Sequence, residues 1–200
     1  MGWKASVIII KPQLPFKGDF IFEALGFRNI VADGTAPFEV AMHPGDERIF
    51  AGHYKGCTLL AGETMAMDFF IGQGSRLEQN LIELTGEGEI CALHLHSAMN
   101  MWGYIVIRDG KRIRQRLGDA DSGTLLDIGE PLEEERELLS KATVNADGQR
   151  TYTIDGSAYT EDQVGENFVF ELFRRYTGQR MDSDDALLFE TMFNGYSVAE

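Results

Sequence analysis

The sequence has few cysteines and no long apolar run. Its 200 residues include only two cysteines, Cys57 and Cys91, which lie far apart. This pattern excludes a disulfide framework and a Cys-x-x-Cys zinc site, and it predicts reduced thiols in a cytoplasmic protein. No stretch approaches the ~20 apolar residues of a membrane span. The short run at the start is interrupted by Lys11 and Pro12, so it is too short for a signal peptide.

Positive charge is also scarce. The chain has 18 Lys and Arg residues against 32 Asp and Glu residues, a formal net charge of −14, and a pI of about 4.7. Such a chain repels nucleic acid and anionic membranes. We therefore expect no nucleic-acid and no membrane partner. The partner would be a protein, or a small anion held by a local basic patch.

Three segments carry strong local signals. The β-branched run in "KASVIII" predicts a buried first strand. "GSRLEQNLIELTGEG" predicts a helix with Ser75 and Glu78 as its capping box and Gly86 at its end. "TEDQVGENFVFELFRRYTG" predicts the strongest helix, with Thr160 and Gln163 as a second capping box.

The remaining patterns complete the predicted fold. Apolar runs between residues 29 and 62, separated by Gly, Pro and Asp, predict several short strands, including one in "FEVAMHPGDE". "DSDDALLFETMFNG" predicts a helix over 182–195. We expect a single domain over residues 1–200 of the α+β class, in which about four helices pack on a mainly antiparallel sheet of several short strands.

The hairpin in "MWGYIVIRDGKRIRQRL" concentrates basic residues in this acidic chain. Its Asp-Gly dipeptide is preferred in two-residue hairpin turns. Pairing across that turn sets Val106 opposite Ile113, and it places Arg112, Arg114 and Arg116 on one face of the second strand. Three guanidinium groups on one face can bind a phosphate or the carboxylates of a partner. In the alternative, these groups pair with carboxylates of the chain itself, for example those of "LEEERE" at 132–137.

A second candidate site is the pair His94 and His96 in "CALHLHSAMN". Residues two apart on a strand share a face, so both imidazoles can bind one metal ion. The spacing is similar to the opening of the cupin metal motif, but the Glu and the later His of that motif are absent. In the alternative, the two histidines are polar positions of the sheet. A third ligand would have to come from His43, His53 or a distant carboxylate.

Two parts of the chain resemble a bacterial family of proteins of unknown function. They are the opening "MGWK", which fits the Met-Gly-x-Lys start of that family, and the central segment "LHLHSAMNMWGYIVIRDGKRIRQRLGDADSGTLLDIGEPLEEE". Within the central segment, the turn Ile128–Leu132 fits the family's I-G-[ED]-P-L pattern. The later "GENFVFELFRRYTGQRMD" is also compatible with the family. The resemblance implies a freestanding bacterial cytosolic protein, and it supplies no catalytic residues. We expect no cofactor.

These observations support three hypotheses. The first is a non-catalytic binding or interaction domain that uses Arg112, Arg114 and Arg116. The second is a metal-dependent enzyme built on His94 and His96. The third, which rests on the charge of −14 alone, is an acidic inhibitor or immunity-type protein that covers a basic partner.

Overall fold

The fold is an antiparallel sheet with apolar cores on both faces, in a computed structural model that describes residues 2–15, 18–45, 48–146, 148, 150–183 and 185–198. Four residues of the predicted motifs lie outside the described residues. They are Met1 of the opening motif, Asp46 and Glu47 of one predicted strand, and Asp184 of one predicted helix.

Twelve strands are found in the described part of the chain. They are β1 (Lys4–Lys11), β2 (Ile30–Pro37), β3 (Arg48–Tyr54), β4 (Cys57–Gly62), β5 (Glu89–His96), β6 (Met101–Arg108), β7 (Lys111–Asp119), β8 (Gly123–Ile128), β9 (Ala142–Val144), β10 (Arg150–Ile154), β11 (Ser157–Thr160) and β12 (Met192–Val198). Nine of them form one antiparallel sheet in the order β2-β12-β3-β4-β1-β5-β6-β7-β8. The other three form a small sheet in the order β11-β10-β9.

Helices cover both faces of the large sheet. They are α1 (Gly18–Ala24), α2 (Phe38–Ala41), α3 (Met65–Ile71), α4 (Arg76–Thr85), α5 (Glu133–Ser140) and α6 (Glu161–Thr177). The apolar side chains of α1, α3 and α4 pack on one face, which we call the α3 face. Those of α2, α5, α6 and the small sheet pack on the other, which we call the α6 face. The predicted α+β class with a mainly antiparallel sheet is confirmed.

Several local predictions are confirmed, because they rest on rules that act within one turn. The hydroxyl of Ser75 accepts a hydrogen bond from the Glu78 amide at 3.2 Å, and α4 ends before Gly86. The side chain of Gln163 accepts a hydrogen bond from the Thr160 amide at 3.0 Å at the start of α6.

The predictions for two other segments are wrong. "FEVA" forms the short helix α2, because Phe38 and Ala41, three residues apart, are both buried on the α6 face. The predicted helix over 182–195 is replaced by a 3-10 turn (Met181–Ser183), a π-helical turn (Ala186–Glu190) and strand β12. β12 lies between β2 and β3 and pairs with both, and this long-range pairing overrides the local helical pattern.

Candidate functional site

A β-bulge in the basic hairpin separates the three arginines. The turn forms as predicted, but the pairing shifts by one residue, so that Val106 lies opposite Arg114 instead of Ile113. A one-residue shift reverses the faces of all residues that follow. Arg112 therefore contacts a helix of the α3 face, and Arg114 and Arg116 contact helices of the α6 face. The prediction that the three residues share one face is wrong.

Arg112 joins α3 and α4. Its guanidinium group donates to both carboxylate oxygens of Glu78, at 2.7 and 2.8 Å, and to the carbonyl of Phe69 at 2.7 Å. The Glu78 carboxylate also accepts from the Gly74 amide at 2.6 Å. Because Phe69 is near the end of α3 and Glu78 lies in the first turn of α4, this one side chain holds the two helices against β7.

Arg114 is paired in the interior with a carboxylate of "LEEERE". Its Nε and Nη2 donate to Glu135 at 2.8 and 2.6 Å, and Nη2 also lies 2.8 Å from Asp127. Nη1 donates to the carbonyl of Gly129 at 2.8 Å, and the Leu132 amide donates to the Glu135 carboxylate. The turn Ile128–Leu132 thus wraps around a buried ion pair. Arg114 therefore follows the alternative prediction, in which the arginines of the hairpin pair with carboxylates of the chain itself.

Arg116 is completely buried between aromatic rings. Its Nη2 donates to the carboxylate of Glu161 at the start of α6, and its guanidinium carbon lies 5.1 Å from the Trp102 ring centroid and 5.3 Å from that of Phe168. Burial on its own lowers the pKa of Arg116, but the neighbouring Tyr104 and Glu161 outweigh it, so the pKa is raised overall. The side chain carries its charge at every physiological pH.

The burial of the three arginines determines whether a ligand can reach them. The side chains of Arg114 and Arg116 are 1% and 0% exposed, and that of Arg112 is 11% exposed. A partner or an anion in solution has no path to the two buried guanidinium groups. Their pairing with carboxylates on α5 and α6 instead ties the sheet to its helices.

The second predicted pair, His94 and His96, lies at the end of β5 with a third histidine beside it. Both side chains point to the α3 face, opposite Leu93 and Leu95, as predicted. The ring of His43, in the loop after α2, lies 6.4 Å from that of His96 between centroids. His53 is elsewhere, on β3.

The three imidazoles form a cluster without an evident ligand set for a metal ion. Within the described residues, no group of three or more His, Cys, Asp or Glu side chains has an arrangement that could hold a metal ion. The metal hypothesis for His94 and His96 stays a prediction, and elemental analysis of the purified protein would decide it.

One candidate position for a ligand is a groove on the α3 face, lined by α1 and by strands β2, β3 and β12. We call it the α1 groove. It has a cavity volume of about 590 Å³ and small residues on its floor, among them Ala32, Ala51 and Gly52. Its size lies within the ~300–1,000 Å³ range of small-molecule sites. α1 is anchored beside it by Phe22, whose ring lies 5.5 Å from that of Tyr196 between centroids.

The walls of the α1 groove carry negatively charged side chains. Asp19 and Glu23, on α1, contribute two carboxylates, and no Lys or Arg in the described part of the chain lines it. His53, Asn194 and Tyr196 add polar side chains at its ends. Burial raises the pKa of Tyr196, and the charge of Asp19 adds to this effect, so the hydroxyl stays neutral. The groove therefore favours a cationic group.

A second groove, between α5, the β10–β11 turn and α6, also carries carboxylates. Its volume is about 630 Å³, and Glu133 and Asp155 line it. Unlike the α1 groove, it also contains Lys141 and Arg174. Lys141 lies 2.8 Å from Glu137 in an ion pair, as its i,i+4 spacing predicts. The acidic character of this groove is therefore partly neutralised.

Comparison with known proteins identifies the family. The model of a family of unknown function, DUF6928, matches residues 20–153, which is more than half of the chain. The chain belongs to DUF6928. No curated protein and no solved structure matches it. The DUF6928 match includes the basic hairpin and the turn Ile128–Leu132, whereas the opening "MGWK" and the segment 165–182 lie outside it.

The DUF6928 match includes α1 from Phe20 onwards, but Asp19 and β12 lie outside it. The α1 groove could not be predicted from the sequence, because its residues come from distant parts of the chain. Asp19 lies in the first turn of α1, while Asn194 belongs to the segment predicted as helix and Tyr196 follows it in β12. Only the insertion of β12 beside β2 brings these residues together. The described residues include no helix that is long and apolar enough to cross a membrane.

Proposed function

We propose that this protein is a non-catalytic binding protein that accepts an exposed Lys or Arg side chain of a protein partner in the α1 groove. The observation that carries the proposal is the presence of two carboxylates, Asp19 and Glu23, four residues apart on α1 in a groove that is also lined by small residues and by no described Lys or Arg. A guanidinium or ammonium group gains charge-assisted hydrogen bonds to such carboxylates.

The net charge supports the same kind of partner. At −14, the chain attracts a basic surface over a distance and repels an acidic one. This replaces the expectation of an anionic ligand, since Arg114 and Arg116 are inaccessible and Arg112 is occupied by Glu78. An acidic inhibitor or immunity-type protein is one form of this function, and a neighbouring gene for a basic protein would support it.

We further propose that the protein is bacterial and cytoplasmic. The Met-Gly-x-Lys opening supports a bacterial origin through the resemblance stated above. Both cysteines are buried and free, which suits a reducing compartment.

The experiment uses an acetylated Gly-Arg-Gly peptide, with the neutral citrulline peptide as its matched control. In amide NMR titrations, we expect the arginine peptide to shift Gly52 and Asn194 saturably and the citrulline peptide to leave them unchanged. The double substitution Asp19→Asn/Glu23→Gln should weaken this binding at least tenfold.

Glu133→Gln/Asp155→Asn in the second groove removes the same amount of charge and serves as the control variant. It should leave the shifts of Gly52 and Asn194 unchanged. If both double variants weaken binding equally, the interaction is a general charge effect and the α1 groove is not the site. Spermidine in a parallel titration distinguishes a small polyamine from a peptide side chain as the source of the cation.

A further inference from the structure

β2 forms a free edge of the large sheet beside the α1 groove. It is the outermost strand, and β12 is its one partner strand in the described part of the chain. Residues 31–35 are all exposed, Val31 to 53%, and a Cβ atom at Gly34 would meet no atom within 4 Å. A strand in this position presents unpaired backbone N–H and C=O groups to solvent, so β2 can pair with a further strand.

The side chains of β2 do not prevent such pairing. Proteins protect the free edges of their sheets with lysines, prolines or bulges. β2 contains no Lys or Arg, its proline is its last residue, and its one charged side chain, Asp33, is paired with Arg48 at 2.8 Å. A bulge is present, because Asp33 and Gly34 together lie opposite Gly195. It leaves residues 30–32 in regular register with β12, so this stretch is open to a further strand.

The regular stretch of β2 borders the α1 groove. Ile30 and Ala32 both line the groove, because alternate residues of a strand share a face. The side chains of an added strand would alternate in the same way, about 4.8 Å further out. Every second side chain of the added strand would therefore extend on the groove side of the sheet, next to Ala32.

The carboxylates of α1 lie on the same side of the sheet. Burial raises the pKa of Tyr196, and the charge of Asp19 raises it further, so this carboxylate is near the Tyr196 hydroxyl. Tyr196 is in turn the direct partner of Ala32 across β12 and β2. Glu23 follows about one turn later on α1, and both carboxylate side chains are exposed. A Lys or Arg on the groove side of an added strand would therefore meet negative charge.

A second copy of this chain fits the edge less well than a basic partner. Its β2 would bring the sequence IVADGTAP, which has no Lys or Arg for the α1 groove. Two chains that each carry a charge of −14 also repel one another. The charges therefore favour an extended, basic segment of a different protein.

We propose that the partner binds as an added strand, in which an extended segment pairs with residues 30–32 of β2 and places a Lys or Arg side chain in the α1 groove. The proposal rests on the proposed function, because the groove supplies the recognition of positive charge. Backbone hydrogen bonds to β2 supply affinity, and the alternation of the added strand selects a basic residue at one position.

The test compares an acetylated and amidated Thr-Val-Arg-Val-Thr peptide, whose β-branched residues favour an extended strand, with the acetylated Gly-Arg-Gly peptide. We expect the longer peptide to bind about tenfold more tightly. It should also slow amide hydrogen exchange, measured by NMR, at alternate positions within residues 30–33 of β2.

Ester analogues of the longer peptide remove N–H donors and keep the arginine side chain. The N–H groups of neighbouring residues point to opposite edges of a strand. One analogue replaces the arginine amide and the other replaces both valine amides. One of the two should therefore bind about tenfold more weakly, and the other should bind like the parent peptide.

The outcomes separate the added strand from the proposed function. The added strand is refuted, and the function is kept, if the longer peptide shifts Gly52 and Asn194 without slowing exchange in β2, or if both ester analogues bind as tightly as the parent. No shift of Gly52 and Asn194 with either peptide would contradict the function itself. Protection of β2 amides that rises with protein concentration in the absence of peptide would show pairing with a second copy and would also overturn the proposal.

Discussion

The buried ion pair between Arg114 and Glu135 should dominate the response of this fold to substitution. The two side chains are 1% and 0% exposed, and they join β7 to α5 through two strong hydrogen bonds. In Arg114→Met, the Glu135 carboxylate keeps the Tyr104 hydroxyl at 2.6 Å and the Leu132 amide at 2.8 Å but loses Arg114, and its remaining cation is Arg116, whose Nη1 lies 3.8 Å away. Removing one partner of a buried ion pair costs about 3–5 kcal/mol.

The second partner provides a double-mutant cycle. Glu135→Leu should cost a similar amount, because Arg114 then keeps only Asp127 and the carbonyls of Ile128 and Gly129 nearby. The double variant leaves no buried unpaired charge at these two positions. We expect its loss of unfolding free energy to be smaller than the sum of the single losses by about 2 kcal/mol.

Urea unfolding followed by tryptophan fluorescence measures these losses of unfolding free energy. Trp102 reports on this region, because it is buried and its ring centroid lies 5.1 Å from the guanidinium carbon of Arg116. Arg108→Met on the same hairpin is the matched control. Arg108 pairs with Glu89 but its side chain is 45% exposed, so its loss should stay below about 1 kcal/mol. A loss below about 1 kcal/mol for Arg114→Met as well would refute the reasoning.

Two further predictions concern the close packing of the α6 face. Gly165→Ala should lower the melting temperature, because a Cβ atom there would lie 2.0 Å from the Trp102 ring. Overpacking of this kind costs about 1–3 kcal/mol of unfolding free energy. A higher melting temperature, as helix propensity alone would give, would contradict this prediction. Cys57 and Cys91 are both fully buried, and burial is the main cause that raises the pKa of each thiol. Mass spectrometry should therefore find no iodoacetamide adduct in the folded protein and two in urea, and rapid labelling of the folded protein would show that the α6 face opens.

The local elements could be predicted from the sequence because their determinants act over a few residues. The Ser75 cap, the Asp-Gly turn and the shared face of His94 and His96 depend on hydrogen bonds or strand geometry within one turn or one strand. The alternation of "CALHLH" thus correctly predicted which side of β5 carries the histidines. It did not predict His43 beside them, since that residue is about 50 positions away in the chain.

The candidate sites depended on long-range packing. The bulge before Arg114 has no local signal, and it is stabilised by carboxylates on α5 and α6 that exist only once those helices pack. β12 reads as a helix by its own pattern, yet hydrogen bonds from β2 and β3 on both sides make it a strand. The order of residues therefore determined the caps, the turn and the faces of single strands. Burial and strand pairing across the whole chain decided which charges are internal and where a ligand can enter.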